Sequence, residues 1–463
     1  MILALYNLLW QLARPLLLRK LRRRGQAEPL YLHAVHQRFA RYTDQERQQA
    51  QTHAGQWVWL HAVSLGETRA ADILLQALRA VQPDMRLLLT HGTATGRQEG
   101  QKLLREGDMQ VWLPWDERGA VQRFVQTFRP RLGLIMETEI WPQLLQACRQ
   151  QGVPVALANA RLSEKTLRQW QRLPQLARQS YGRLSIAYAQ TAQDAQRLQT
   201  LGVPAVMVTG NLKFDASPDP ALLQQGQALR QRWQAHGDGT RRPVALLASS
   251  RDGEEALWLQ AWQALPPEQR VAVQWLIVPR HPQRFDAVAH LLRTTGFAVK
   301  RRSTGQTDPD DGRQVVWLGD SMGEMPLYYA TADLALMGGS FAPLGGQNLI
   351  EACACACPVL LGPHTFNFAQ ASEQAIAAGA ALRCNSMEQA LQQAWVLLSA
   401  APAETGARDR SRAAMQQAAL VFSQTHRGAA QRMAGGECLC LPRFRSEERR
   451  VGKECRSRWS PYH

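Results

Sequence analysis

Glu67 lies in VSLGETRAADILLQAL (63–78), where an apolar run stops at a small polar loop and a helix-like pattern begins with an acid three places after a serine. Two chemistries fit that spacing. In a capping box the serine hydroxyl takes a helical N–H and the acid reaches back. A carboxylate within hydrogen-bond reach of a reacting hydroxyl also serves as a general base. Ser321–Glu324 in SMGE and Asn348–Glu351 in NLIE repeat the spacing, so spacing alone does not separate cap from base. A helix start at a strand's carboxyl end also offers N–H groups and a positive dipole to a phosphate, so cap and ligand site are compatible.

Other loops carry further candidates. IMETEIWP sets Glu137 and Glu139 after an apolar run. Two carboxylates two apart share a face only if the strand continues, so one is expected toward a ligand and the other to pack or cap. PRHPQRF places Arg280, His281 and Arg284 at a strand end, where a guanidinium suits bidentate binding of phosphate or carboxylate and a surface turn is the alternative. Lys213 in GNLKFD is a lone cation just before an expected hinge, or a solvated lysine. MGGSFAPLGGQNLIEA brings two Gly-Gly pairs ahead of a helix and allows close backbone approach to a ligand. It is neither GxGxxG nor GxxxxGK[ST], which argues against an ordinary dinucleotide or NTPase site. No metal motif or nucleophilic triad emerges, and DPDDG (308–312) reads as a solvent loop.

These loops follow short apolar runs that alternate with helical stretches. WVWLHAV (57–63), RLLLTHG (86–92), RLGLIM (131–136), VPVALANA (153–160) and SIAYAQ (185–190) form one series. PVALLASS (243–250), WLIVPRH (275–281), VVWLGD (315–320), ADLALMGGS (332–340) and PVLLGP (358–363) form a second. Buried parallel strands read this way, and the alternation predicts two doubly wound α/β halves with a cleft between them. NLKFDASPDPALL, rich in Ser, Pro and Asp, reads as the hinge. Ligands of such sheets bind outside the carboxyl ends of the strands, where the loops above fall.

The chain's 463 residues are ample for two domains, and 54 Lys plus Arg against 38 Asp plus Glu favour an anionic partner. The basic residues show no aromatic interleaving, so nucleic acid is not expected. The eight cysteines include the run Cys353, Cys355 and Cys357 but no CxxC pair, and read as reduced core residues. The first 24 residues are apolar up to the cluster Arg19, Lys20, Arg22, Arg23 and Arg24, an order that fits a membrane anchor with a cytoplasmic basic flank. Arg14 interrupts the run, so a helix lying in the interface competes with a spanning one, and a soluble amphipathic helix is the third reading. From Arg445 the sequence resembles a translated sequencing adapter; setting it aside lowers the formal net charge from +16 to +13.

SLGE, TATG (93–96), LPWD (113–116), METEIWP, NARLSEK (159–165), GNLKFD, PRHPQRF, GDSMGEM, GGSFAPLGGQN and LGPHTFNF (361–368), in this order, resemble the 3-deoxy-D-manno-octulosonic acid (Kdo) transferases of lipid A biosynthesis. The resemblance runs from about residue 1 to 430. It implies a GT-B glycosyltransferase at the cytoplasmic face of the inner membrane, with two Rossmann-like domains. The donor would be CMP-Kdo, the acceptor the bis-phosphorylated tetraacyl lipid A precursor, lipid IVA, and no cofactor or metal would be needed. Residues 1–24 would form the anchor, 25–215 the acceptor-binding domain, 216–240 the linker, 241–435 the CMP-Kdo-binding domain and 445–463 the adapter-like tail. Carried over through matching motifs, Glu67 would be the proton acceptor, with Glu137 and Lys213 as transition-state stabilisers. Pro279, Arg280, Met322, Gly323, Glu324, Asn348, Leu349, Ile350 and Glu351 would hold CMP.

The chain departs from the family where Ser250, Arg251 and Asp252 stand in place of the usual Ser-Thr-His. If that histidine touches donor, Arg251 must substitute for it or the loop is retuned. Two other functions fit parts of the pattern: a GT-B sugar-nucleotide epimerase, which would need no anchor, and a catalytically silent nucleotide-binding protein at the membrane.

Overall fold

The computed structural model describes residues 2–235, 242–305, 314–399 and 412–435. The chain divides into two compact units, one running through Asp215 and resumed at Arg427, the other Ala216–His426. The acidic loop 308–312, the last residues of the expected linker (236–240) and the tail from 445 lie outside the described residues.

The first unit is built on seven parallel strands: β1 (Trp57–His61), β2 (Arg86–His91), β3 (Met109–Trp112), β4 (Leu132–Met136), β5 (Val155–Ala160), β6 (Ile186–Ala189) and β7 (Val206–Val208). They are ordered β3-β2-β1-β4-β5-β6-β7. β1, β2, β4, β5 and β6 are buried almost throughout because helices cover both faces, which explains their continuous apolar runs. The winding reverses between neighbouring β1 and β4, and that switch opens a crevice at their carboxyl ends.

The second unit repeats the plan with β8 (Val244–Ser250), β9 (Gln274–Pro279), β10 (Ala298–Arg301), β11 (Val315–Leu318), β12 (Leu334–Met337), β13 (Val359–Leu361) and β14 (Ala381–Arg383). Their order is β10-β11-β9-β8-β12-β13-β14, which places the switch between β8 and β12. The two strand ends come so close there that a Cβ at Gly338 would lie 2.4 Å from the Ser249 carbonyl oxygen.

The units depart from the expected boundaries in two places. The stretch expected as a linker is largely the helix Pro220–Ala235, which belongs to the second unit. The Asp-Pro pair read as a hinge signal starts this helix: Asp219 Oδ1 accepts the Ala221 N–H at 2.8 Å and Pro220 takes the first helical position. Gly226 then lets the helix approach Leu327, whose carbonyl oxygen would lie 2.3 Å from an added Cβ. At the other end, the helix Ala429–Gly435 returns to the first unit and packs on the helix Leu65–Val81. Asp215 accepts the Gly428 and Ala430 N–H groups, fixing that return.

The N-terminal sequence forms one helix, Ile2–Ala27, on the first unit. No helix among the described residues is long and apolar enough to cross a membrane. Arg14 and the basic cluster from Arg19 leave too short an apolar stretch.

Candidate active site

β1 delivers the chain to Val63, and Ser64 caps the helix Leu65–Val81 by accepting the Glu67 N–H at 3.4 Å. Glu67 turns back, as a capping acid does, but one residue further than in a capping box. Its Oε2 accepts the Val63 N–H at 2.8 Å and its Oε1 the Ser64 hydroxyl at 3.1 Å. The Val63 carbonyl in turn accepts the Thr93 N–H and hydroxyl, at 2.9 and 2.8 Å, so TATG is clamped onto SLGE. Gly96 is needed in that clamp, since a Cβ there would stand 2.9 Å from the same carbonyl.

Burial pushes the Glu67 carboxyl up to about 7; the Val63 N–H and Ser64 work against the shift, while the Glu137 and Glu139 charges add to it. Those two acids follow β4 on the other side of the switch. Glu137 is nearly buried with φ +55, a left-handed conformation that costs a glutamate about 1–3 kcal/mol. Its N–H bonds the Ala158 carbonyl at 2.9 Å, and its carboxylate pairs with Arg161 at 3.4 Å. Burial, with the Glu137 charge adding, holds Glu139 above the usual carboxylate range, beside Trp141. Glu137 is the more buried of the two acids and Glu139 is half-buried, and the charges of both act on Glu67.

Lys213 sits on the turn Leu212–Asp215. Leu212 and Phe214 are core residues, and buried Asn159 accepts the Leu212 N–H at 3.0 Å through Oδ1. The lysine is therefore set by the neighbours that NARLSEK and GNLKFD supply on either side of it. LPWD has a supporting part: Asp116 accepts the Gln143 and Leu144 N–H groups at 3.0 and 2.7 Å, capping the helix Pro142–Gln150 after METEIWP. Among the described residues no group of three His, Cys, Asp or Glu could hold a metal.

In the second unit, Pro279 ends β9 and Arg280 follows it, its N–H donating to the Ser250 carbonyl at 2.9 Å. Arg251, after β8, keeps a buried Nε without a hydrogen-bond partner among the described residues. Burial, followed by the charges of Arg251 and Arg280, holds His281 below the usual imidazole range. Arg284 is not available as the expected ligand cation. Glu255 takes it bidentately at 3.0 and 2.7 Å, and Asp252 takes its Nε at 2.8 Å.

Met322 and Gly323 lie in the loop after β11, Met322 exposed and Gly323 at φ +82. Glu324 does not close a capping box with Ser321. It stands at the N-cap of the helix Met325–Thr331, and its carboxylate takes the Ser321 hydroxyl and Arg302. Asn348 caps the helix Leu349–Ala354 through Ile350 N–H at 3.2 Å; Leu349 and Ile350 face the core and Glu351 is half-buried. All three segments lie at carboxyl ends of strands or in the loop that follows β12.

Sequence reading passed over Glu254, the anchor of this unit. Fully buried, it accepts N–H groups from Arg251 (2.8 Å), Gly339 (2.6 Å), Phe341 (3.1 Å) and Ala342 (3.3 Å), so the loops after β8 and β12 are tied across the switch. The signal was an acid pair, Glu254 and Glu255, in a run that buries both.

Residues 33–216 match the family described as 3-deoxy-D-manno-octulosonic-acid transferase (kdotransferase). The chain is 49% identical to the 3-deoxy-D-manno-octulosonic acid transferase of Bordetella pertussis over 81% of this chain and 85% of that one. Identity to the Haemophilus influenzae enzyme of the same name is 34%, over 73% of this chain and 78% of that one. The fold is similar to that of Anabaena Alr3699/HepE in complex with UDP, with a TM-score of 0.53 over 83% of this chain and 100% of that one at 14% identity. Two doubly wound units with ionisable loops at their switch points are thus the frame of a sugar-transferring enzyme, and the chain belongs to the 3-deoxy-D-manno-octulosonic acid transferase family.

Proposed function

We propose that this protein transfers Kdo from CMP-Kdo to the tetraacyl lipid A precursor, with Glu67 as the general base and no metal. The carrying observation is Glu67 itself, a carboxyl at the β1–β4 switch that burial and the charges of Glu137 and Glu139 raise to about 7. In the transfer, the acceptor oxygen bonds the anomeric carbon of Kdo while the bond to the CMP phosphate oxygen breaks. The electron pair leaves with CMP and the hydroxyl proton passes to Glu67. Glu137 offsets positive charge developing on the sugar and Lys213 offsets negative charge, both as transition-state stabilisers. CMP departs with a single phosphate, which Arg280 and neighbouring backbone N–H groups can receive without a metal. Pro279, Met322, Gly323, Glu324, Asn348, Leu349, Ile350 and Glu351 complete the proposed CMP site. The 49% identity to a Kdo transferase favours transfer over the epimerase reading. Incubation with CMP-Kdo and lipid precursor, followed by mass analysis, tests the proposal; a product gaining no Kdo mass refutes it, and one or two added masses give the count.

Arg280→Ala should raise the KM for CMP-Kdo about 10–100-fold, a charge-assisted hydrogen bond contributing about 1.5–3 kcal/mol. Steady-state kinetics at saturating acceptor measures it, and an unchanged KM removes Arg280 from the donor site.

We place the enzyme on the cytoplasmic face of the inner membrane, with the first helix lying in the interface and GT-B architecture in the remainder. Leu5, Leu8, Leu9, Leu12 and Leu16 recur at helical spacing and are all exposed, forming one apolar stripe, and exposed Arg19, Lys20, Arg22, Arg23 and Arg24 follow it. Each leucine gains about 1.5–3 kcal/mol when buried. Replacing Leu12 and Leu16 with serine should therefore lower partition onto anionic vesicles by at least about tenfold in a sedimentation assay. Equal partition would argue against this face.

A further inference from the structure

The face of the first helix opposite the leucine stripe lies on the supports of the carboxylate loop. Tyr6 stands edge-on to Trp10 with ring centroids 6.4 Å apart, and beside Asp116, the residue that caps the helix Pro142–Gln150; burial, with the Asp116 charge adding, raises the pKa of the Tyr6 hydroxyl. Gln143 donates through Nε2 to the Leu3 carbonyl at 2.6 Å, at the start of that same helix. Trp10 packs on Trp141 with ring centroids 6.2 Å apart, one residue before it. Asn7 accepts the Arg118 N–H at 2.8 Å, two residues beyond Asp116.

Between Met136, where β4 ends, and Pro142 the chain is a short loop carrying both Glu137 and Glu139. One end is fixed by the sheet, through Glu137 N–H to Ala158. The other is fixed at Trp141 and Gln143, both of which the N-terminal helix touches, and at Asp116, which accepts the Gln143 and Leu144 N–H groups. A misplacement of about 1 Å in a catalytic group can cost about a hundredfold in rate, so whatever pins this loop matters to the chemistry.

We propose that Tyr6 and Trp10 are positioning residues of the carboxylate site: through Asp116 and Trp141 the first helix holds Glu137 and Glu139 in place against Glu67. The helix then has two separable tasks, an outer leucine face toward lipid and an inner aromatic face toward the reaction. The inference rests on the site proposed at Glu67 and Glu137. It gives the anchor a part in turnover that remains when the enzyme is in detergent and no membrane is present.

The test uses the full chain in detergent as wild type, Tyr6→Phe, Trp10→Ala, the double variant, Trp10→Phe and Leu12→Ser. Hydrogen exchange over residues 137–145 is read first, because it needs no substrate. It should quicken in the double variant, while Trp10→Phe and Leu12→Ser match wild type. In Kdo transfer the double variant should lose about tenfold or more in kcat with the KM for CMP-Kdo unchanged. Glu67 is faced by Glu137 and Glu139 from this loop, with Arg161 on Glu137 and the buried ring of His91 behind Thr68. Slackening the loop takes negative charge away from Glu67, so the acid limb of the kcat profile should move to lower pH in the double variant. A helix that merely adds stability would lower the melting temperature and leave that limb and the exchange rates where they are. Unchanged exchange over 137–145 in the double variant overturns the inference. A wild type that transfers no Kdo would instead overturn the proposed function, and the exchange result would still decide this one.

Discussion

Glu67→Gln should lower Kdo transfer by about 10²–10⁴-fold, the range set by loss of a general base. The amide keeps the size of the side chain and can still accept from Val63 N–H, so the SLGE turn should survive. CMP binding, which the proposal assigns to the other unit, should be unaffected. Wild-type kcat should fall with acid below about pH 7, because the base must be deprotonated and its pKa is raised to about 7. A pH–rate series on both proteins checks the two statements together. Full activity in Glu67→Gln, or a wild-type limb near the ordinary carboxylate range, would return Glu67 to being a helix cap.

The second large effect is expected on stability. Glu254→Ala removes a carboxylate that accepts four backbone N–H groups in a fully buried position. Burial holds this carboxyl above the usual range and the four N–H groups act to lower it, so it stays useful as an acceptor only because they surround it. Donors left unsatisfied cost about 1–3 kcal/mol each. With some reached by water, the loss should be at least about 3 kcal/mol, seen as a lower denaturation midpoint for the second unit. CMP affinity should fall as well, because the loops after β8 and β12 lose their tie. A change within about 0.5 kcal/mol, the range of ordinary surface substitutions, would show that the four bonds are not native.

The ten strands read in the sequence are the interior strands of the two sheets. The four passed over, β3, β7, β10 and β14, are the four edges. An interior strand is covered on both faces and flanked by neighbours, so its apolar run is continuous. β7, by contrast, holds exposed Met207 and Val208, and β10 ends in half-buried Lys300 and Arg301. Most motif loops were legible for the same reason, because they begin where an interior run stops; LPWD and GNLKFD, which follow the edge strands β3 and β7, are the exceptions.

The site was less legible where one spacing has several folded outcomes. Ser64–Glu67, Ser321–Glu324 and Asn348–Glu351 share a three-residue interval. The first gives a cap with the acid one residue further back, the second places the acid itself at the N-cap, and the third caps through Asn348 onto the second helical N–H rather than the third. Which outcome occurs depends on partners far along the chain, Thr93 for the first and Arg302 for the second. Arg284 shows the same limit. Its type and place suit an anion, and only the fold reveals that Glu255 already occupies it.

The return of residues 427–435 to the first unit sets an order on biosynthesis. The ribosome releases the seven strands of that unit long before it releases the short helix that covers Leu65–Val81. Domains generally fold as units while the chain emerges, N-terminal part first. Here the earlier one must wait, with the patch of the Glu67 helix that Ala429–Gly435 packs on still open, until the whole of the later one has been made. Nascent chains stalled near residue 426 would therefore be the form most in need of a chaperone.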